Sequence, residues 1–223
     1  MKMNMLVFCA SIGLLATSCS KTFLDVSPKG IQLESNYYQT PDQAFAAVIS
    51  VYNPLSEEAG GTDNTYINKI GALNAASDEC YAGGGGPTDM GTWQVWNTYT
   101  LSAAVGPQAG YWDKAYTGIY RANVALERLP AVPGLSSALL NRYVAECKFL
   151  RAYNYFDLVR LFKNVVLTTT AIAAGDIYTQ VQAKPEDVYA QIEKDLKDAI
   201  TNLPATVATT ENGRVTKGAA LAL

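Results

Sequence analysis

The sequence predicts an all-α protein of stacked helical hairpins, and three observations support this fold class. Apolar residues recur at helical spacing in four long segments, which predicts helices with a buried face. Most of these segments are joined by short stretches rich in proline and glycine, so neighbouring helices are expected to pack side by side. The 223 residues are 49% hydrophobic and 17% charged, which is typical of a folded core rather than a disordered chain.

The first helix is predicted from the residues around its start. Thr40 can act as the N-cap, Pro41 suits the first helical position and Gln43 completes a capping box. Asn53 and Pro54 predict the end of the helix, because proline cannot donate a backbone hydrogen bond.

Two further helices follow a long irregular stretch. The second is predicted over Tyr111–Leu129 and ends at Pro130. The third is predicted over Ala138–Phe162, with Ser136 or Ser137 as its cap. This third helix carries apolar residues around more than half of its circumference, so other elements must cover it on two sides.

The last part of the chain adds two helices. The fourth is predicted from Pro185 to Leu203, after a short strand or extended crossing within residues 165–181. Thr216 can cap a fifth helix, whose apolar run reaches Leu223 without a stop signal, so we expect the chain to be a piece of a longer protein. The hairpins are similar to tetratricopeptide repeats, although the consensus of about 34 residues is absent.

Composition removes several classes of function. The net charge of −3, from 17 basic and 20 acidic residues, argues against nucleic-acid binding. Histidine is absent, which excludes Ser/His and Cys/His dyads and the common zinc sites. Asp78 with Glu79 or Asp89 is the remaining candidate for a carboxylate pair, but such loop acids are usually solvated or bind a cation. We therefore predict a protein that is not an enzyme and uses no cofactor or metal.

The chain begins like an exported lipoprotein. Lys2 precedes an apolar run over Met5–Ala16, which is too short to span about 30 Å of hydrocarbon and is typical of a secretory signal. The run ends in small residues before Cys19, similar to a bacterial lipoprotein box, although Ala16 stands where leucine is usual. The alternative is an ordinary signal peptide cleaved near Ala16 or Ser18, which leaves Cys19 as a free thiol.

Acylation of Cys19, with fatty acids such as palmitate, would attach the protein to a membrane through lipid alone. The two later cysteines, Cys80 and Cys147, are predicted to be unpaired thiols. The predicted organisation is a signal peptide over 1–18, a lipidated tether over 19–39 and a helical domain over 40–223.

Several segments together resemble a known family. They are the lipoprotein-like start, Thr40–Ala44, Tyr120–Asn123, Ala145–Val159 and Gly213–Leu223. This set is similar to the N-terminal region of the SusD/RagB family of outer-membrane nutrient-binding lipoproteins. The sequence departs from the family in its shorter length and in Lys163–Leu167, where Gly-Asp-Val-Pro-Leu is more usual.

The resemblance implies a helical surface lipoprotein of Bacteroidota that is anchored in the outer membrane. Such proteins capture oligosaccharides or other nutrients and act as a lid on a TonB-dependent transporter of the SusC type. The resemblance also implies that a missing C-terminal part would hold much of the ligand surface.

Residues 56–110 contain the candidate ligand site. They lack a persistent helical period and centre on Gly83–Pro87, and long irregular stretches in compact domains are often functional. A sugar platform needs exposed tryptophan or tyrosine beside polar side chains. The candidates are Asp78, Tyr81, Trp93, Trp96 and Asn97. Trp93 and Trp96 would share a face on a helix, and the alternative is that both only pack the loop onto the helices.

Two functions remain open from the sequence. The first is capture of a glycan or another nutrient for a transporter. The second is a protein-binding scaffold with Trp93 and Trp96 as interface anchors. Four polar residues on the helices, Arg121, Asn123, Glu146 and Arg151, are instead predicted to form a structural network of hydrogen bonds and ion pairs.

Overall fold

The computed structural model describes residues 37–58, 69–102, 104–105 and 108–223. The predicted signal peptide, the predicted acylation site Cys19 and the predicted tether up to residue 36 lie outside these residues. Within the described ranges, no helix is both long and apolar enough to cross a membrane.

The described residues form the helical architecture that the sequence predicts. The helices are α1 (Pro41–Glu58), α2 (Lys69–Ala75), α3 (Gly91–Asn97), α4 (Gln108–Arg128), α5 (Ser137–Phe162), α6 (Pro185–Asn202) and α7 (Lys217–Ala222). Short 3₁₀ turns span Leu129–Ala131, Ala174–Thr179 and Thr209–Glu211. Two short strands, β1 (Val165–Val166) and β2 (Gln182–Ala183), pair antiparallel with Val165 opposite Ala183.

The main core lies around α5, which packs against α1, α4 and α6. Cys147, Leu150, Tyr155 and Leu158 of this helix are buried, which confirms that it is covered on more than one side. Close packing with α4 depends on Gly118, where an added Cβ would lie 2.6 Å from the side-chain nitrogen of Asn154.

The helix caps mostly follow the sequence signals. The Ser136 hydroxyl accepts a hydrogen bond from the backbone N–H of Leu139, and Thr216 caps α7 in the same way. Thr40 accepts from the backbone N–H of Gln43, as predicted. The Gln43 side chain, however, accepts from the backbone N–H of Gln39 rather than closing the box on Thr40.

The predicted end of α1 at Pro54 is wrong, because the helix continues to Glu58. Proline at this position leaves the carbonyl of Ser50, four residues earlier, without its helical donor. The Arg121 guanidinium of α4 donates to that carbonyl at 2.9 Å and to the Asn53 side chain at 2.9 Å. A contact from another helix therefore replaces the hydrogen bond that proline removes.

The four polar residues predicted as a network lie in separate clusters. Arg151 of α5 makes two hydrogen bonds of 2.8 Å to the Asp195 carboxylate of α6 and a third of 2.8 Å to the Asn123 side chain of α4. Glu146 belongs to a second cluster, where Arg214 donates to it at 2.7 Å. Arg121 donates to α1 and joins neither cluster. The structural role predicted for the four residues is confirmed, but they do not form a single network.

Candidate functional site

The candidate site is built on a small hydrophobic cluster apart from the main core. Its buried centre consists of Ala72 and Ala75 of α2, Ala82 of the loop between α2 and α3, and Trp96 of α3. The half-buried Trp93, Tyr111 and Leu161 pack against this centre. The cluster packs the predicted irregular stretch against α4 and α5. Part of this stretch forms the helix α3, where the sequence did not decide between a helix and a strand.

The glycine-rich loop before α3 is held by one carboxylate. The Asp89 side chain accepts a hydrogen bond from the backbone N–H of Gly85 at 2.7 Å. The Gln94 side chain donates to the backbone carbonyl of Asp89 at 2.5 Å and so joins the loop to α3. Gly84 permits this arrangement, since an added Cβ would lie 2.0 Å from the Asp89 carboxylate.

Two of the five predicted ligand residues support the loop from inside. Trp96 is only 6% exposed and packs edge to face with Tyr111, with ring centroids 6.1 Å apart. The Asn97 side chain donates to the backbone carbonyl of Ala75 at 3.2 Å. The half-buried Trp93 lies one helical turn before Trp96, so the shared face expected for a helix is the face that packs on the cluster.

The other predicted ligand residues are exposed. Tyr81 is 86% exposed, and Asp78 lies on the same surface loop between α2 and α3. Tyr99, just after α3, is 76% exposed, and its hydroxyl donates to the backbone carbonyl of Ala76 at 2.5 Å. Tyr81 and Tyr99 therefore offer aromatic surface to solvent. Ligand contact by Asp78, Tyr81, Trp93, Trp96 and Asn97 stays a prediction.

A cavity of about 520 Å³ lies beside the small cluster. We call it the Trp96 cavity; its lining residues are Trp96, Leu101, Ser102, Tyr111, Arg160, Leu161 and Phe162. Sequence reasoning included only Trp96 among candidate ligand residues. It missed Arg160 because this residue lies far along the chain, at the end of the core helix α5. The only local signal is a cation that follows a long apolar run.

A second cavity, of about 390 Å³, lies between α4 and the segment that follows α5. Trp112, Tyr116 and Tyr120 of α4 line one side at helical spacing, and Ile172 and Ile177 line the other. Burial raises the pKa of Tyr116, and its neutral hydroxyl donates to the backbone carbonyl of Val166 at 2.8 Å. This groove is lined mainly by apolar side chains.

The described residues of the two cavities include no metal-binding group. In the described part of the chain, no group of three or more acidic or cysteine side chains is placed to hold an ion. Cys80 is exposed and Cys147 is buried, and both are free thiols as predicted.

The family assignment follows from a match over nearly the whole chain. Residues 22–223 match a SusD-like family model described as starch-binding and associating with the outer membrane. The chain belongs to the SusD-like family. This confirms the resemblance seen in the sequence and the prediction that it covers the N-terminal region of the family. The family description names a binding activity and an association with the outer membrane.

Curated relatives match at low identity and are much longer. A SusD-like protein from Bacteroides ovatus is 26% identical over 227 residues, which cover 99% of this chain and 38% of that protein. A SusD-like protein from Formosa agariphila is 26% identical over 194 residues, which cover 86% of this chain and 36% of that protein. The chain therefore spans less than two-fifths of the length of either relative.

Solved structures share the fold. A laminarin-binding SusD-like protein is 38% identical with a TM-score of 0.75, and the match covers 82% of this chain and 38% of that one. Surface glycan-binding protein A from Bacteroides uniformis is 26% identical with a TM-score of 0.72, over 81% of this chain and 40% of that one. The all-α fold predicted from the sequence is thus confirmed as SusD-like.

Proposed function

We propose that the protein captures an oligosaccharide, or another nutrient, at the bacterial outer-membrane surface without catalysing a reaction. The observation that carries this proposal is the match of residues 22–223 to a starch-binding family. Laminarin binding by a structural relative of 38% identity supports a glycan as the ligand class.

The surface around α3 suits a glycan. Sugar rings present flat C–H faces that stack on aromatic side chains and hydroxyls that need polar partners. Tyr81 and Tyr99 supply exposed aromatic faces, while Asp78 and Asp89 supply exposed hydrogen-bond acceptors on the same loop. The small cluster below fixes this loop, so a ligand would meet an ordered surface.

Delivery to a TonB-dependent SusC-like transporter completes the proposal. Acylation at Cys19 would hold the protein on the outer membrane through lipid chains, where it would meet both the nutrient and the transporter. The family's outer-membrane association supports this location. The family resemblance suggests the transporter partner, and the lipoprotein-like residues that end in Cys19 suggest the lipid anchor.

Binding to immobilised polysaccharides tests the proposal. We expect the full-length protein to retain laminarin or another glycan, and Tyr81→Ala to weaken retention about tenfold by removing a stacking face. Tyr178→Ala is the matched control, because Tyr178 is also highly exposed but lies on the segment near the second cavity. Loss of binding in the control alone, or no retention of any glycan, would contradict the proposal.

The second candidate function is a scaffold that binds another protein. The observation that favours it is the apolar groove beside Tyr116, together with the exposed Ile177, Tyr178 and Val181. Trp96 does not suit the role of interface anchor, because it is buried in the small cluster. Stable co-purification of a partner protein, with no glycan bound, would favour the scaffold.

A further inference from the structure

The two-stranded sheet has one covered strand and one strand with an open edge. In β1, Val165 is buried and the carbonyl of Val166 accepts the hydrogen bond from Tyr116 of α4 at 2.8 Å. In β2, apart from the pairing with β1, no described group makes a hydrogen bond to the backbone of Gln182 or Ala183. A strand edge with unpaired N–H and C=O groups can take up a further strand.

The extended backbone continues beyond the two paired residues of β2. Gln180, with φ −69° and ψ 141°, precedes the strand, and Lys184, with φ −74° and ψ 150°, follows it. We call residues 180–184 the β2 edge. It is long enough to align a short extended segment along its backbone.

Apolar side chains beside the β2 edge face solvent. Val181 is 80% exposed, although the alternation of a strand places it on the same side as Ala183, which packs against the main core. Ile177 and Tyr178, just before the edge, are also exposed. Ile177 and Gln180 line the second cavity as well, so this surface continues into the apolar groove. Such a surface fits an extended chain with alternating apolar side chains.

The charges around the β2 edge argue against a second copy of this chain as the occupant. Residues Ile177–Ala183 carry no charge. Exposed Asp176, Glu186 and Asp187 stand at the two ends of this run, against Lys184 alone. Antiparallel pairing of two copies would bring the acidic end of one towards the acidic end of the other, where like charges repel. A segment with lysine or arginine at its ends is complementary instead.

We infer that the β2 edge is a docking site for an extended segment of another protein, which adds a third strand to the sheet. The segment has alternating apolar residues and basic residues at its ends. Its backbone pairs with the β2 edge, and its apolar side chains cover Val181 and reach the groove beside Tyr116. This inference goes beyond glycan capture and does not depend on it, because Tyr81 and α3 are not part of the docking surface.

A synthetic peptide tests the docking site. The probe is a fluorescent peptide of alternating valine and threonine with two lysines at each end, titrated against the full-length protein by anisotropy. The control peptide carries N-methyl groups on two adjacent central residues, so that each of its edges loses a donor while its side chains and charges are kept. We expect the probe to bind at least about tenfold more tightly than the control. Bound probe should also slow hydrogen exchange at the backbone N–H groups of residues 181–183.

Variants of the protein connect binding to the β2 edge. Val181→Glu places a charge on the edge and should weaken probe binding about tenfold, even though it adds an attraction for the basic ends. Ala190→Glu adds the same charge on the exposed surface of α6 and should not weaken binding. Asp176→Asn combined with Glu186→Gln should weaken binding at low salt and reduce its salt dependence. Far-UV circular dichroism and melting confirm that each variant folds.

The outcomes separate this inference from the proposed function. Equal binding of the N-methylated peptide, unchanged binding by Val181→Glu, or no binding of the probe overturns strand addition. Self-association of the parent in sedimentation equilibrium, abolished by Val181→Glu, assigns the edge to a second copy and overturns the partner inferred here. Failure to retain laminarin or any other glycan, with the probe bound as expected, contradicts glycan capture and supports the docking site.

Discussion

The ion pair between Arg151 and Asp195 shows what a single residue contributes to this scaffold. Both side chains are buried, and the guanidinium makes two parallel hydrogen bonds to the carboxylate. The remaining nitrogen of Arg151 reaches Asn123, whose amide in turn donates to the backbone carbonyl of Thr170 at 2.9 Å. One arginine of α5 thus joins α6, α4 and the segment after β1.

Removing only one charge of this pair should be costly. Asp195→Asn leaves the Arg151 guanidinium buried without a counter-charge, so we expect the free energy of unfolding to fall by about 3–5 kcal/mol. Urea denaturation followed by circular dichroism measures this change. In the double variant Arg151→Met with Asp195→Leu, no charge remains buried, and much of the loss should be recovered. A single variant as stable as the parent would show that the pair is solvated in solution.

At the scale of elements, the loop between α2 and α3 depends on close backbone packing. An added Cβ at Gly84 would lie 2.0 Å from the Asp89 carboxylate oxygen and 2.8 Å from its Cβ, so the whole side chain would have to rotate. Gly86, two residues later, has no atom within 4 Å of the same position. Alanine at position 84 would therefore clash with Asp89, whereas alanine at position 86 of the same loop would not.

Gly84→Ala should release the Gly85 amide from Asp89. We expect hydrogen exchange at the Gly85 N–H to accelerate about fivefold to tenfold, since the bond to the carboxylate is lost. Gly86→Ala should leave that exchange rate unchanged. The rates are measured by NMR on the labelled protein. Equal acceleration in both variants would mean that the loop is loosened by any alanine rather than by the clash with Asp89.

The elements that sequence predicts well are those with local signals. Ser136 and Thr216 cap their helices through hydroxyls that bond three residues ahead, and such caps can be recognised in the sequence. The predicted end of α1 at Pro54 is wrong because Arg121, some 70 residues away in sequence, donates to the Ser50 carbonyl that Pro54 leaves without a helical donor. No local pattern near Pro54 carries that information.

The sequence indicated the residue types of the candidate site but not the directions in which their side chains point. The composition of residues 78–100 made Trp96 a candidate ligand residue, but burial of its ring depends on Tyr111 and Leu161 from other helices. Arg160 escaped prediction for the same reason, since its place at the cavity edge depends on how α5 ends against α3 and α4. Side-chain direction in irregular stretches is set by such distant contacts.

At the scale of the whole molecule, one partly buried phenol links α1, α5 and the segment just before α7. The Tyr52 hydroxyl of α1 donates to Glu146 of α5 at 2.7 Å and accepts from the backbone N–H of Val215, just before α7, at 3.1 Å. Burial raises the pKa of Tyr52 well above its ordinary value of 10.0, and the Glu146 carboxylate raises it further. Arg214, which also faces this hydroxyl, acts in the opposite direction.

The protein should therefore lose stability in alkali. A phenol whose pKa is higher in the folded chain than in the unfolded chain stabilises the fold fully below the unfolded pKa of about 10. As the pH rises above this value, the unfolded chain releases the proton and the folded chain retains it, so the free energy of unfolding falls. Tyr116, also with a pKa raised by burial, contributes in the same direction.

Urea denaturation at pH values from about 8 to 11.5 measures this loss. Tyr52→Phe and Tyr116→Phe should each lower stability at neutral pH, because hydroxyl hydrogen bonds are removed. Above pH 10, however, each variant should lose stability less steeply than the parent, since one buried phenol no longer retains a proton. The slope of the free energy of unfolding against pH, rather than its absolute value, measures the effect of the raised phenol pKa. If the parent and both variants show the same slope, these hydroxyls are in contact with water. That result would contradict the hydrogen bonds of Tyr52 to Glu146 and Val215.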